Sequence, residues 1–173
     1  NTKAPIDITV KWDGAPAVFA GEDPSDGQFF VAKKGIFAKT PKVYKSHADI
    51  DADTSGDLSK KLKLAFDNLK NLGIKDVIQG DFMFDQSDLK KENINGIGHI
   101  TFHPNTILYA VPLNSRLAKE IQRAKVGIIW HTSYSGKSFE NMRAEFGRDI
   151  VGKLKRSKDV WMDDATLKDV SGT

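Results

Sequence analysis

Apolar residues recur at every second position through Ile6, Ile8 and Val10, and again through Ala15, Ala17 and Phe19. A period of two predicts two half-buried strands, and Asp13-Gly14 between them predicts the hairpin turn that joins them. "GEDPSDGQ" at 21–28 is dense in turn formers and leads into a third strand, "FFVAKK", which Gly35 interrupts before "IFA". From Asp57 the period changes. Leu58, Leu62, Ala65, Phe66, Leu69 and Leu72 fall on one helical stripe, with Gly73 placed to end it, so this stripe is expected in the core and its lysines on a solvated face.

A strand over 76–84, "DVIQGDFMF", is followed by a polar connector, 85–98. The runs "HITFH" and "TILYAVP" (106–112) predict a second hairpin across Pro104-Asn105. Asn114 is expected to cap a helix over 115–124, the apolar run "VGIIWH" (126–131) follows, and 137–158 reads as a helix broken near Gly147. Several strands in a row before any crossover helix predict an α+β fold, antiparallel sheets with flanking helices, in one domain over 1–173.

Length and composition narrow the class. A chain of 173 residues, 39% of them apolar, can bury one core. The net charge of +3, from 26 basic and 23 acidic residues, permits anionic partners without demanding them. With no cysteine there is neither a disulfide framework nor a thiolate metal site, and a reducing, cytoplasmic compartment is the expectation. No stretch of eighteen apolar residues predicts a membrane span, so no membrane partner is expected.

One apolar strand pattern ends in charge: Lys11-Trp12-Asp13-Gly14. A half-buried strand end is a costly place for an ammonium group, and desolvation of that kind favours the neutral amine a nucleophile needs. K-x-D-G resembles the motif that carries the covalent lysine in ATP-dependent DNA and RNA ligases and mRNA capping enzymes. Three further stretches follow in that family's order: "FFVAKKGIFAKTPKVY" (29–44), "VIQGDFMF" (77–84) and "TILYAVP". Together they resemble phage-type members of that nucleotidyltransferase superfamily over roughly 6–112. Lys34 stands where the family has arginine, Asp81 where it has glutamate, and Val111-Pro112 where it has its Phe-Asp pair.

The resemblance implies a ligase-like or capping-enzyme-like fold, incomplete at its C-terminus because the family's later Glu-Gly and lysine-pair motifs are expected beyond Thr173. It implies Lys11 as nucleophile toward ATP or GTP, with transfer of the nucleotide to a DNA or RNA end. Val10, Asp13, Gly14, Lys33, Lys34 and Tyr109 would contact the nucleotide, Phe82 being the other candidate platform for its base. Asp81 would serve Mg²⁺ or Mn²⁺. A non-catalytic nucleotide- or nucleic-acid-binding module, or a structural phage-type protein, is the alternative use of the same scaffold. Gly136-Lys137-Ser138 imitates a phosphate loop but has His131 in place of its first glycine, and His99 with His103 lacks a third metal ligand.

Overall fold

The computed structural model of the chain describes residues 8–147 and 149–169, those at 8–10 and 166–169 as backbone only. In chain order the elements are β1 (Ile8–Lys11), β2 (Ala17–Glu22), β3 (Phe29–Ala32), α1 (His47–Asp53), α2 (Gly56–Leu69), β4 (Val77–Asp85), β5 (Lys90–Ile94) and β6 (Ile97–Phe102). There follow β7 (Tyr109–Pro112), α3 (Arg116–Arg123), β8 (Val126–Ser135), β9 (Arg143–Phe146), β10 (Val160–Asp164) and β11 (Thr166–Asp169). The fold is α+β, and among the described residues every strand pair is antiparallel except β8 with β10, which is parallel.

The main sheet runs β10-β8-β4-β2-β3, and β4 is its middle strand. Alternation along β4 sends Ile78 and Phe82 into the larger core, where Val18, Ala20, Val31, Ile128 and Trp130 meet Ile50 of α1 and Leu62, Ala65 and Leu69 of α2. Val77 goes to the other face, with Phe19, Phe30, Ala32 and Ile36. A third cluster joins Met83, Phe84, Ile129 and Trp161 to Ile100 and Phe102 of the small β5-β6-β7 sheet and to Ala118 and Ile121 of α3. Gly80 is demanded by packing, since a Cβ there would collide with the Ile129 carbonyl of β8.

Several expectations are corrected. β1 does not form a hairpin with β2; it pairs with β11, Lys11 opposite Thr166, a partner remote in sequence. The connector after β4 holds a 3-10 turn over Gln86–Asp88 and the strand β5, joined to β6 by Asn95 and Gly96, both at positive φ. Asn-Gly between two strand-like runs is a strong two-residue hairpin signal that the polar composition obscures. The 106–112 run shortens to β7, and Ser115 rather than Asn114 caps α3, its hydroxyl accepting the Ala118 N–H at 3.1 Å.

The described residues of 137–158 do not form the expected helix. Phe139 and Met142 pack against the cluster of Phe19 and Phe30, whereas Ile150, Val151 and Leu154 join the α2 core, so the segment is divided between two clusters. Nor is the lysine face of α2 wholly solvated: Lys61 is buried, 2.8 Å from Asp57, 3.0 Å from Asp85 and 2.9 Å from Asp88. Among the described residues, no helix is long and apolar enough to cross a membrane.

Candidate functional site

β8 changes partner midway. Along Val126–Trp130 its outer edge is taken by β10, and along Thr132–Ser135 by β9, leaving His131 between them. On the opposite edge the register with β4 jumps from Gln79↔Thr132 to Gly80↔Trp130, so His131 is also the extra residue of a β-bulge. Bulges re-aim side chains and part strands. The chain leaving β9 returns a backbone bond from Gly147 N–H to the His131 carbonyl at 3.0 Å. The chain leaving β10 donates from Ala165 N–H to the Trp130 carbonyl at 2.8 Å.

A cavity of about 470 Å³ opens at this parting, lined by Lys11, Trp12, Asp13, Asp81, His131, Phe146, Gly147 and Ala165. Lys11 reaches it because β1 ends there, tied by Trp12 N–H to the Ala165 carbonyl at 2.8 Å. Asp81 reaches it from β4, opposite Ala17 of β2. Gly14 lets the loop after β1 lie flat on β4: a Cβ would stand 2.6 Å from the Phe82 carbonyl and 3.1 Å from Asp81 Cβ. Ala15 N–H then bonds to that carbonyl at 2.9 Å, and Phe82 N–H to the Pro16 carbonyl at 3.0 Å.

The electrostatics are those of two acids among three bases. Burial, then the negative charge of Asp13, push the Asp81 carboxyl up to about 6, against a pull from Lys34. His131 Nε2 lies 4.0 Å from Asp81 Oδ2. Burial and then the Lys11 charge hold the imidazole below its ordinary value, so it is neutral near pH 7. Its Nδ1 is 2.6 Å from the Thr132 hydroxyl.

The fold therefore brings Lys11, Asp13 and Asp81 around one cavity, with Lys34 within electrostatic reach. Other sequence expectations fare differently. Lys11 is exposed at the rim, not half-buried. Lys33 points away toward Asp53 at 3.7 Å, because alternation along β3 puts it with Val31 on the helical face. Phe82 is wholly inside the α2 core and cannot meet a ligand. Tyr109 packs against Phe102 and Trp12, with centroids 5.3 and 5.1 Å away, and its hydroxyl accepts the Asp13 N–H at 2.7 Å, so it holds the loop. The Val10 backbone is in β1, and its side chain lies outside the described residues. His99 Nδ1 is 2.8 Å from the Ile97 carbonyl, and among the described residues no group of three or more metal-ligating side chains forms.

Sequence reasoning does not single out His131 as a residue of this cavity. Its signal is that of the polar residue ending an apolar strand run, and only the bulge shows where it points. The Trp12 indole N–H, bonded to Asp163 Oδ2 at 3.2 Å, and Asn105, whose amide donates to Asp13 Oδ2 at 3.2 Å, likewise depend on long-range contacts.

A family model spans residues 1–173, and the chain belongs to that family, the family of unknown function DUF6267. No curated protein and no solved structure matches it.

Proposed function

We propose that the cavity at the end of β1 binds a nucleoside triphosphate and that Lys11 accepts its nucleotidyl group, for transfer to a nucleic-acid end. The observation that carries this reading is the meeting of Lys11 and Asp81, seventy positions apart, around one cavity of about 470 Å³. Their order and spacing are also those in which the sequence resembles the ligase and capping-enzyme superfamily. A ligase-like fold belongs to the same proposal.

In the reaction so read, the Lys11 Nζ lone pair attacks the α-phosphorus. An N–P bond forms, the bond from the α-phosphorus to the bridging oxygen breaks, and pyrophosphate leaves. The amine must lose its proton first, and the imidazole of His131 is the side-chain base that shares its cavity. Lys34 adds positive charge for the phosphates. The carboxylates of Asp13 and Asp81 in one cavity fit a hard divalent cation of the Mg²⁺ type, since such an ion would offset the burial and the Asp13 charge that raise Asp81. When bound it would neutralise phosphate charge. The resemblance favours ATP as donor.

The exposure of Lys11 favours a second reading, a module that binds nucleotide without covalent chemistry. Incubation with ATP or GTP and Mg²⁺, followed by intact-mass spectrometry, separates the two. An acid-labile, base-stable nucleotide adduct that disappears in Lys11→Ala supports transfer. Saturable triphosphate binding with no adduct, weakened in Asp81→Asn, supports the binding module, and absence of both removes the nucleotide reading.

A further inference from the structure

β10 is the terminal strand of the main sheet, paired with β8 along one side. Beside it lies a second cavity, of about 190 Å³, whose walls are Glu120 and Arg123 from α3, Arg156, Ser157 and Lys158 from the loop ahead of β10, and Trp161 and Met162 from the strand itself. We propose that this edge binds the sugar–phosphate backbone of a nucleic-acid strand through Arg123, Arg156 and Lys158. The binding stands without the nucleotidyl-transfer reading; only its role as the acceptor side of the Lys11 site rests on that reading.

Charge carries the first part of the argument. Three cations from two separate elements converge on one groove, and all three are exposed. Glu120, the one carboxylate in the lining, is turned to Arg116 at 3.3 Å. Among the described residues Arg123, Arg156 and Lys158 make no ion pair within 4.0 Å, although the charge of Arg156 acts on Asp163. The neighbouring lysines do not swell the count. Lys155 crosses to the α2–β4 connection, its backbone N–H on the Leu72 carbonyl at 2.9 Å, and Lys153 lines a different cavity. Clustered cations without partners lose little solvation to a phosphate, and guanidinium forks suit its oxygens.

Position carries the second part. Trp161 forms the wall between this groove and the Lys11 loop, its ring edge-on to Trp12 at 5.3 Å. Asp163, next on the same face of β10, accepts the Trp12 indole N–H while lying in the field of Arg156. A strand along β10 therefore passes one tryptophan away from Lys11. Trp161 is itself only 7% exposed and offers no platform for a base, so recognition is of the backbone and independent of sequence.

Fluorescence anisotropy with labelled DNA and RNA oligonucleotides, single-stranded and duplex, tests this without any triphosphate, so its outcome is independent of labelling at Lys11. For single strands, three phosphate contacts give a slope of log K against log salt of about −2, and each lost contact reduces it by ~0.7. Arg123→Gln, Arg156→Gln and Lys158→Gln are each expected to lower the slope by that step and to weaken binding alike for all base sequences, with unchanged melting temperatures. Lys39→Gln, exposed in the loop after β3 at the opposite end of the main sheet, is expected to leave the slope as it was. An unchanged slope in the triple variant overturns the proposal. So does displacement by poly-glutamate as effective as by nucleic acid, which would make the partner an acidic protein.

Discussion

The Tyr109 hydroxyl accepts the backbone N–H of Asp13 at 2.7 Å, joining β7 to the loop after β1 across 96 positions of sequence. Its ring is wedged between Phe102 and Trp12. One side chain thus fixes the height at which Lys11 and Asp13 stand over β4.

Tyr109→Phe keeps the ring and removes the acceptor. An N–H left without its partner costs about 1–3 kcal/mol when it is kept from water. Each kcal/mol moves the melting temperature by roughly 2–4 °C in a chain of this size. A fall of a few degrees is expected by calorimetry, with triphosphate binding reduced at temperatures where the variant is still folded. An unchanged melt together with unchanged binding would show that the loop needs no such latch.

Gly14→Ala tests the same loop from beneath. The added methyl meets the Phe82 carbonyl at 2.6 Å and Met83 Sδ at 2.8 Å, and the first of these is backbone that cannot turn aside. Overpacking of this kind costs about 1–3 kcal/mol. Urea unfolding should show the loss as a lower midpoint at unchanged slope. In the family that the sequence resembles, this glycine is read as making room for nucleotide; the contacts found here make room for β4.

The parts of this fold that are legible in the sequence are those decided locally. Apolar runs bounded by turn residues mark β2, β3 and β4, which are buried on both faces, and the leucine stripe specifies α2, where burial of one face is enough. Lys11 and Asp13 can be singled out because charge interrupts otherwise apolar strands, and Asp81 because its strand resembles the acidic strand motif of the ligase and capping-enzyme family. The pairing of β1 with β11 is not legible, since its partner lies more than 150 positions away and no turn links them. His131 is hidden for a similar reason: a bulge is a property of two strands in register, and one strand read alone does not contain it. Lys61 reads as a solvated residue because lysine is seldom buried, and only the arrival of Asp85 and Asp88 from the end of β4 and the turn after it makes its burial tolerable.

That Lys61 cluster is a stability determinant in its own right. Burial lowers the affinity of its amine for a proton, but the carboxylates of Asp57, Asp88 and Asp85 more than offset this, and it stays charged. Asp85 is almost fully buried, and although burial alone would raise it, bonds from Ser87 and Lys61 bring it down to about 2. Lys61→Met removes the buried cation and leaves the Asp85 carboxylate to Ser87 and to the more exposed Lys60, 3.4 Å away, at a cost of up to about 3–5 kcal/mol. Because the folded value of Asp85 lies below the ordinary 3.8, its contribution is complete above about pH 4 and is lost as pH falls toward 2. Chemical denaturation across that window should show a shallower acid limb in Lys61→Met than in the wild type. Identical limbs would mean that Ser87 and Lys60 hold Asp85 down without Lys61.

Asp81 has the opposite sign. Its folded value, about 6, lies above the ordinary 3.8, so the folded protein holds this proton more tightly than the unfolded chain does. Stability from Asp81 is therefore present at low pH and declines as pH rises from about 4 to 6. Asp81→Asn has nearly the same shape and no charge. In the presence of a chelator it is expected to stabilise the protein by about 1–3 kcal/mol at pH 7.5 and by almost nothing at pH 3.5, since each tenfold change in proton affinity between the folded and unfolded chain is worth about 1.4 kcal/mol. A cation shared by Asp13 and Asp81 would offset the burial and the Asp13 charge that raise Asp81, so Mg²⁺ should raise the melting temperature of the wild type at pH 7.5 and leave that of Asp81→Asn unmoved. A carboxylate that costs stability where it stands, and recovers it when an ion arrives, is the behaviour of a binding group. If Asp81→Asn instead lowers the melting temperature at pH 7.5, Lys34 and His131 already satisfy the carboxylate. The site would then be a closed ion-pair network with no place for a metal or its triphosphate.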